Sequence, residues 1–315
     1  MADARRLLPL ALGLAALSAL FLGWSLRAPV EFILTLRATK LAALVVVGAA
    51  IGAATVIFQT ITANRLLTPG IVGFDALFVF LQTGAVLFFG SAETSTLPTT
   101  LRFGLEAGCL VLAALALFGL LLRRGAGDIL RVVLTGVILG IFLRGLTAFA
   151  QRLLDPSEFA IVQQLTFASF NAVDRATLAI ATVLLGLALA AALALAPRLD
   201  AVALGRQTAR SIGLHHDRVV LAALALVALL VALSTALVGP VTFLGLIAAS
   251  LAYRATGAWR HVVLIPAAAL IGAAILVGGQ FIFERLLGLQ STLAVVVEFL
   301  GGLLFLILLL RRSRP

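Results

Sequence analysis

The sequence has 315 residues, 63% hydrophobic and 11% charged, with a mean hydropathy of +1.20. Soluble domains carry about 25% charged residues, so the composition excludes an ordinary water-soluble domain. The net charge of +10 does not point to nucleic acid, because the basic residues punctuate loops and form no stripe.

Apolar runs without two-residue alternation select helices, since a bilayer leaves backbone groups no partners but their own. Arg5 and Arg6 before an apolar run from Leu7 imitate a secretory signal. The run is long and polytopic sequence follows it, so a retained first span is expected. A span needs roughly 20 apolar residues, and ten are read at about 7–26, 41–61, 71–90, 103–122, 128–150, 174–196, 219–238, 241–252, 261–283 and 292–310. The eighth is too short to cross alone. It follows Gly239-Pro240, which is read as a sharp turn into a half-buried helix. Gly48/Gly52 and Gly136/Gly140 are small residues four apart, a spacing that lets helix backbones approach. With the N-terminus in the cytoplasm, fifteen of the 23 Lys and Arg fall on the inner side and eight on the outer. That asymmetry supports ten spans with both termini inside, and spans two to five then run opposite to spans seven to ten.

Between the sixth and seventh spans lies GRQTARSIGLHHDR, residues 205–218, polar in an otherwise oily chain. Gly205 and Gly213 can turn it twice and leave a compact amphipathic helix between them. Ala209 and Ile212 would pack, while Arg206 and Arg210, one turn apart, would reach acidic groups of a partner. By spacing alone it reads rather as a solvated loop obeying the positive-inside bias. Arg37, Lys40 and Arg285 stand on the outer side against that bias, as interfacial snorkelling residues or as contacts for something outside. Arg144 in the fifth span and Glu298 in the last are costly intramembrane charges that should face a cavity, a partner or each other's kind. Phe142, Phe149, Phe159, Phe167 and Phe170 could meet an aromatic ligand, with lipid or helix contact as the plainer reading. Gln59 and the stretch Asn64 to Gly73, broken by Pro69-Gly70, read as the architecture of an inner turn.

Several chemistries are missing. His215 and His216 diverge by about 100° on a helix and His261 lies in another loop, so no metal site is expected. Cys109 is alone, which rules out an intrachain disulfide. The one lysine, Lys40, follows Thr39, so no glycine-lysine phosphate loop exists and any ATP must be bound by a partner. With no convergent catalytic set, no enzyme activity and no cofactor are expected.

Three segments carry a family resemblance. The stretch LRATKLAALVVVGAAIGAATVIFQTITANRLLTPGIVGFD, 36–75, resembles the signature of bacterial iron-siderophore and cobalamin ABC-importer permeases, with Arg37 to Lys40, Gln59 and Asn64 to Gly73 at its motif positions. LDAVALGRQTARSIGLHHDR and VGPVTFLGLIAASLAYRATGAWRH are similar to two later motifs in family order, and Arg285 and Gly301-Gly302 extend the match. The family's Pro-His is replaced by Ala249-Ser250, and its Glu-Leu-Pro before the last span is absent, with Ser291-Thr292-Leu293 there. The wording TPGIVGFDALFVFLQT resembles the subgroup for catecholate siderophores, which pairs two different permeases.

The resemblance implies an all-α type II importer permease fold, residues 1–315 forming one transmembrane domain with 197–218 as a cytoplasmic coupling segment. It implies ferric-siderophore import across the bacterial inner membrane by alternating access, with cobalamin, haem or another chelate as alternative cargo. An ion-coupled secondary carrier is the remaining alternative. Expected partners are a second permease (a heterodimer favoured over a homodimer), two ABC ATPases, an extracytoplasmic binding protein and membrane lipid. Gly205, Arg206, Ala209, Arg210 and Gly213 would couple to the ATPase. Arg37, Lys40 and Arg285 would dock the binding protein, and Arg144 and Glu298 would border the translocation path.

Overall fold

A computed structural model describes residues 2–25, 29–91, 96–125, 129–171, 173–288 and 293–312. These residues form twelve α-helices and no strand. In chain order they are α1 (Ala2–Gly23), α2 (Val30–Ile61), α3 (Asp75–Phe89), α4 (Thr99–Gly125), α5 (Ile129–Gln151) and α6 (Pro156–Leu165). Then come α7 (Arg175–Val202), α8 (Arg206–Ser211), α9 (His216–Val238), α10 (Leu244–Thr256), α11 (His261–Phe281) and α12 (Leu293–Arg312). Single π turns, Gly70–Phe74 and Ile282–Leu286, lead into α3 and extend α11.

Eight stretches are long and apolar enough to cross a membrane: α1, α2, α3 with its π turn, α4, α5, α7, α9 and α11 with its π turn. The two other expected spans are also helices. α10 has 13 residues, about 20 Å, and so stops short of a full crossing as its length foretold. α12 has 20 residues and an apolar stretch at Val295–Ile307.

Two elements differ from the sequence reading. Helix α2 starts at Val30, eleven residues before the expected span. Glu31, Arg37 and Lys40 depress the local hydropathy, but the Arg37 and Lys40 side chains find partners and the helix continues through them. The other is α6, which fell in an expected loop. Pro156 occupies its first turn, where a missing N–H costs nothing.

The core forms around α2. Buried residues make up 72% of its membrane window, against 11% for α1 and 17% for α5. Glycine sets the closest approach. A Cβ at Gly48 would lie 2.6 Å from the Gly272 carbonyl and the Ala273 amide, and one at Gly52 would lie 2.2 Å from the Ala268 carbonyl. Thus α2 and α11 touch backbone to backbone over two turns. On another face, Gly245 of α10 presses on Thr55 of α2. The second glycine pair works differently. Gly140 of α5 receives Gly73, whose φ of 116° is open only to glycine, so the π turn before α3 lies directly on α5.

The two ends of the bundle have distinct characters. One gathers the C-termini of α2, α7 and α10, the N-termini of α9 and α11, and α8. This is the arginine-rich end. The opposite end holds the α1–α2 junction, α6 and the second π turn. There Asp174 caps α7, and bonds from the Thr177 amide and hydroxyl, both 2.9 Å, hold its carboxyl below the usual aspartate range.

Gly52→Val should force α2 off α11 and lower stability by about 1–3 kcal/mol, the range for overpacking a filled core. Gly84→Ala, where a Cβ would meet nothing within 4 Å, should leave the melting temperature of detergent-solubilised protein unchanged.

Candidate functional site

The segment after α7 turns as its glycines foretold. Gly205 at φ 92° and Gly213 at φ 85° bracket α8. Ala209 is fully buried beneath it. Two details depart from the sequence reading. Ile212 does not pack: it is 61% exposed, and Leu204 on the other flank is 60% exposed. Nor do Arg206 and Arg210 stand free. Both hold Asp217 Oδ2, at 3.1 Å and 2.7 Å, across the turn into α9. The result is a short helix stiffened by its own ion pairs, with two apolar residues offered outward.

Next to this segment, the turn after α2 is closed by side chains. Gln59, buried, donates to the Arg65 carbonyl at 2.6 Å, and Asn64 Oδ1 accepts from the Leu66 amide at 3.0 Å. Arg65 lies over the Tyr253 ring of α10 at 4.4 Å. The architectural reading of this turn matches its geometry. His261 stands beside it, bonded to Asp200 of α7 and Thr60 of α2. The sequence reading set His261 aside as lying in another loop than His215 and His216; its partners, 61 and 201 residues away, were not visible there.

Midway along the bundle a polar seam joins four elements. Gly301 of α12 packs on Phe243, where a Cβ would come within 2.2 Å of it. That contact brings Glu298, one turn earlier, to Thr242. Asp75, at the start of α3, faces the same Thr242, and its Oδ2 is buried without a hydrogen-bond partner. Arg144, one turn beyond Gly140 on α5, acts on Asp75 as a nearby cation while its own residue is exposed on the surface of the single chain. Arg144 and Glu298 are therefore brought into one cluster. Asp75 and Thr242 were missed, although an acid in the apolar run GFDALF was a signal by the rule for intramembrane charges. Around Arg144, the outer face of α5 is apolar, with Ile138, Ile141, Phe142 and Phe149 all exposed. Phe170, by contrast, is core.

Arg37, Lys40 and Arg285 do come together at the opposite end, where with Glu284, Phe21 and Trp24 they line a cavity of about 550 Å³. Arg37 is not displayed there as a sequence-only docking residue would be. It is 6% exposed, and its Nη1 donates to the carbonyls of Leu22 at 2.8 Å and Trp24 at 2.7 Å. Those carbonyls belong to the frayed end of α1, so Arg37 fastens α1 to α2. Lys40 pairs with Glu284, which also accepts from Gln280 at 2.7 Å. Arg285 has a buried Nε without a hydrogen-bond partner. Among the described residues, no group of three or more His, Cys, Asp and Glu could hold a metal ion.

Known proteins resemble this chain in sequence and fold. A model of the FecCD transport family matches residues 9–311. The petrobactin import system permease protein YclO of Bacillus subtilis is 37% identical over 284 residues, which is 90% of this chain and 90% of that protein. The petrobactin import system permease protein FatC of Bacillus anthracis is 33% identical over 88% of this chain and 78% of its own length. The ferric enterobactin transport system permease protein FepD of Escherichia coli is 29% identical over 93% and 86%. A solved structure described as a metal-chelate type ABC transporter, in an inward-facing conformation, superposes with a TM-score of 0.84 over 98% of this chain and 99% of its own. At 24% identity that likeness establishes the fold.

Lys40→Met and Glu284→Gln should each lower the melting temperature. The double variant should lose less than the sum, with a coupling of about 1 kcal/mol for a partly exposed pair. Strict additivity in the thermal-shift cycle would show that the pair contributes nothing.

Proposed function

The chain belongs to the FecCD transport family, and from that premise we propose that it is the membrane-spanning subunit of an ATP-driven importer of ferric siderophores in the bacterial inner membrane. The chain works as a single membrane domain and catalyses no covalent step. Two ABC ATPases bind and hydrolyse the nucleotide, an extracytoplasmic binding protein delivers the chelate, and a second permease completes the path. The favoured cargo is a catecholate complex, in keeping with the petrobactin and enterobactin named for its relatives.

The observation that carries this reading is α8 between its two glycine turns. A polar helix with a buried Ala209 foot, bracing ion pairs and exposed Leu204 and Ile212 is a surface built to be gripped. An ATPase that closes on this helix moves the ends of α7 and α9 to which it is tied. Alternating access then means that nucleotide selects between two states of the bundle, each exposing the path to one side. The apolar outer face of α5 suits the second permease, and Arg144 within it gives the shared path a cation for an anionic ferric complex. At the outer corner, Lys40 and Arg285 are the groups offered to acids of the binding protein, and Arg37 holds the surface on which they stand.

Proteoliposomes holding the chain with its second permease, ATPase and binding protein should accumulate radiolabelled ferric tricatecholate only with ATP. Arg210→Gln together with Ile212→Asp should remove ATP-driven uptake while the complex still folds. Uptake by the chain alone under an ion gradient, without nucleotide, would instead establish a secondary carrier.

A further inference from the structure

At the arginine-rich end three helices meet through one side chain. His261, the first residue of α11, is 2% exposed. Its backbone amide donates to Asp200 Oδ1 at 2.8 Å, and its Nδ1 reaches the same oxygen at 2.6 Å. Asp200 lies in the last turn of α7, and backbone bonds from Leu204 to Ala201 and from Gly205 to Val202 carry that turn without a break to α8. On the far side of the ring, Nε2 lies 2.6 Å from the Thr60 hydroxyl of α2. Thr60 is the penultimate residue of α2, directly before the turn closed by Gln59 and Arg65.

The two links differ in kind. Asp200 takes two donors from His261, one from the ring and one from the helix N-terminus, so α7 and α11 are clamped at this point. The Thr60 link is single and has a substitute. The Thr60 hydroxyl also lies 2.9 Å from the Val56 carbonyl, and its one proton can turn to either acceptor. When Nε2 withdraws, the hydroxyl keeps a partner on its own helix. Opening the joint therefore leaves only His261 Nε2 without a partner, a smaller cost than stranding both groups.

On the reading of the chain as an ATP-driven permease, we propose that His261 is a positioning residue of the transport cycle: clamped to Asp200, it passes displacement of α8 through a separable joint at Thr60 to the 59–65 turn beneath the path. Beyond that turn lie Pro69, the π turn at Gly70–Phe74 and Asp75 of the polar seam. The chain thus leads from the turn joined to α8 to the seam residue Asp75, on which Arg144 acts. Such a route counts as coupling only if both ends respond to changes in its middle.

The test uses the reconstituted complex and reads ferric tricatecholate taken up per ATP hydrolysed, alongside melting temperature. His261→Asn keeps a donor near the Nδ1 position for Asp200 but cannot reach Thr60. Thr60→Val removes the same joint from the other side. Each should lower the ratio of uptake to hydrolysis by about tenfold, and the double variant should fall no further. Melting temperatures should stay near that of the parent, and His261→Gln, whose amide extends toward the Nε2 position, should restore part of the ratio. An unchanged ratio in folded His261→Asn, or effects of the two variants that multiply, would overturn the proposal. A residue with only a structural role would lower the melting temperature and leave the ratio of the surviving complexes intact, which also overturns it. Parent complexes that import nothing with ATP would instead overturn the function proposed above.

Discussion

The backbone contact between α2 and α11 determines what the other helices can do. Gly48 and Gly52 on one side, Gly272 and Ala268 on the other, leave no room for a side chain between them. In lipid, apolar side chains gain little by leaving one solvent for another, so close backbone packing supplies the cohesion that water supplies elsewhere. The pair acts as a mast. Helix α10 leans on it through Gly245, α9 packs beside it, and α1 is tied to its outer end by Arg37. Helix α5 meets the rest chiefly at α3 and the Gly70–Phe74 turn, which leaves most of its surface outward.

A rigid pair with looser surroundings suits a machine that must change shape without coming apart. The elements that carry unusual chemistry all lie off the mast or at its ends. Helix α8 hangs from α7 and α9. The seam of Asp75, Thr242, Glu298 and Arg144 joins elements around the mast, and the outer corner closes over its far end. Motion imposed at α8 can therefore be taken up by α5, α3 and α12 while the centre holds, which is the shear and hinge behaviour expected of bistable packing.

Much of this was legible in the sequence. Continuous apolar runs located every long helix, and two glycine pairs foretold two backbone-to-backbone contacts, though not their partners. Gly205 and Gly213 foretold the turns around α8. What hydropathy hid was paired polarity. Arg37 and Lys40 lower a local average, yet Arg37 donates to carbonyls at the end of α1 and Lys40 pairs with Glu284, so α2 runs eleven residues longer than its apolar stretch. Distance in sequence likewise hid Asp75 as the companion of Glu298, and Asp200 and Thr60 as the partners of His261, while Asp217, in the same short segment as Arg206 and Arg210, was not read as their acid. Ile212 was misplaced because an apolar residue on a short amphipathic helix was taken to pack within its own chain, whereas it is presented outward. Family resemblance supplied the expected use of these residues, which spacing alone left open.

The central claim is that a fixed pair of helices is surrounded by elements moved from one end. Spin-label distances in the assembled complex test it most directly, after exposed Cys109 is replaced by serine. One label pair, at Leu34 and Ile282, spans α2 and the end of α11. The other, at Gln207 and Leu153, spans α8 and the far end of α5, and all four positions are exposed in the single chain. On adding ATP, the account predicts a change of several ångström in the second distance and under about 1 Å in the first. A shift of the first pair as large as that of the second would contradict it.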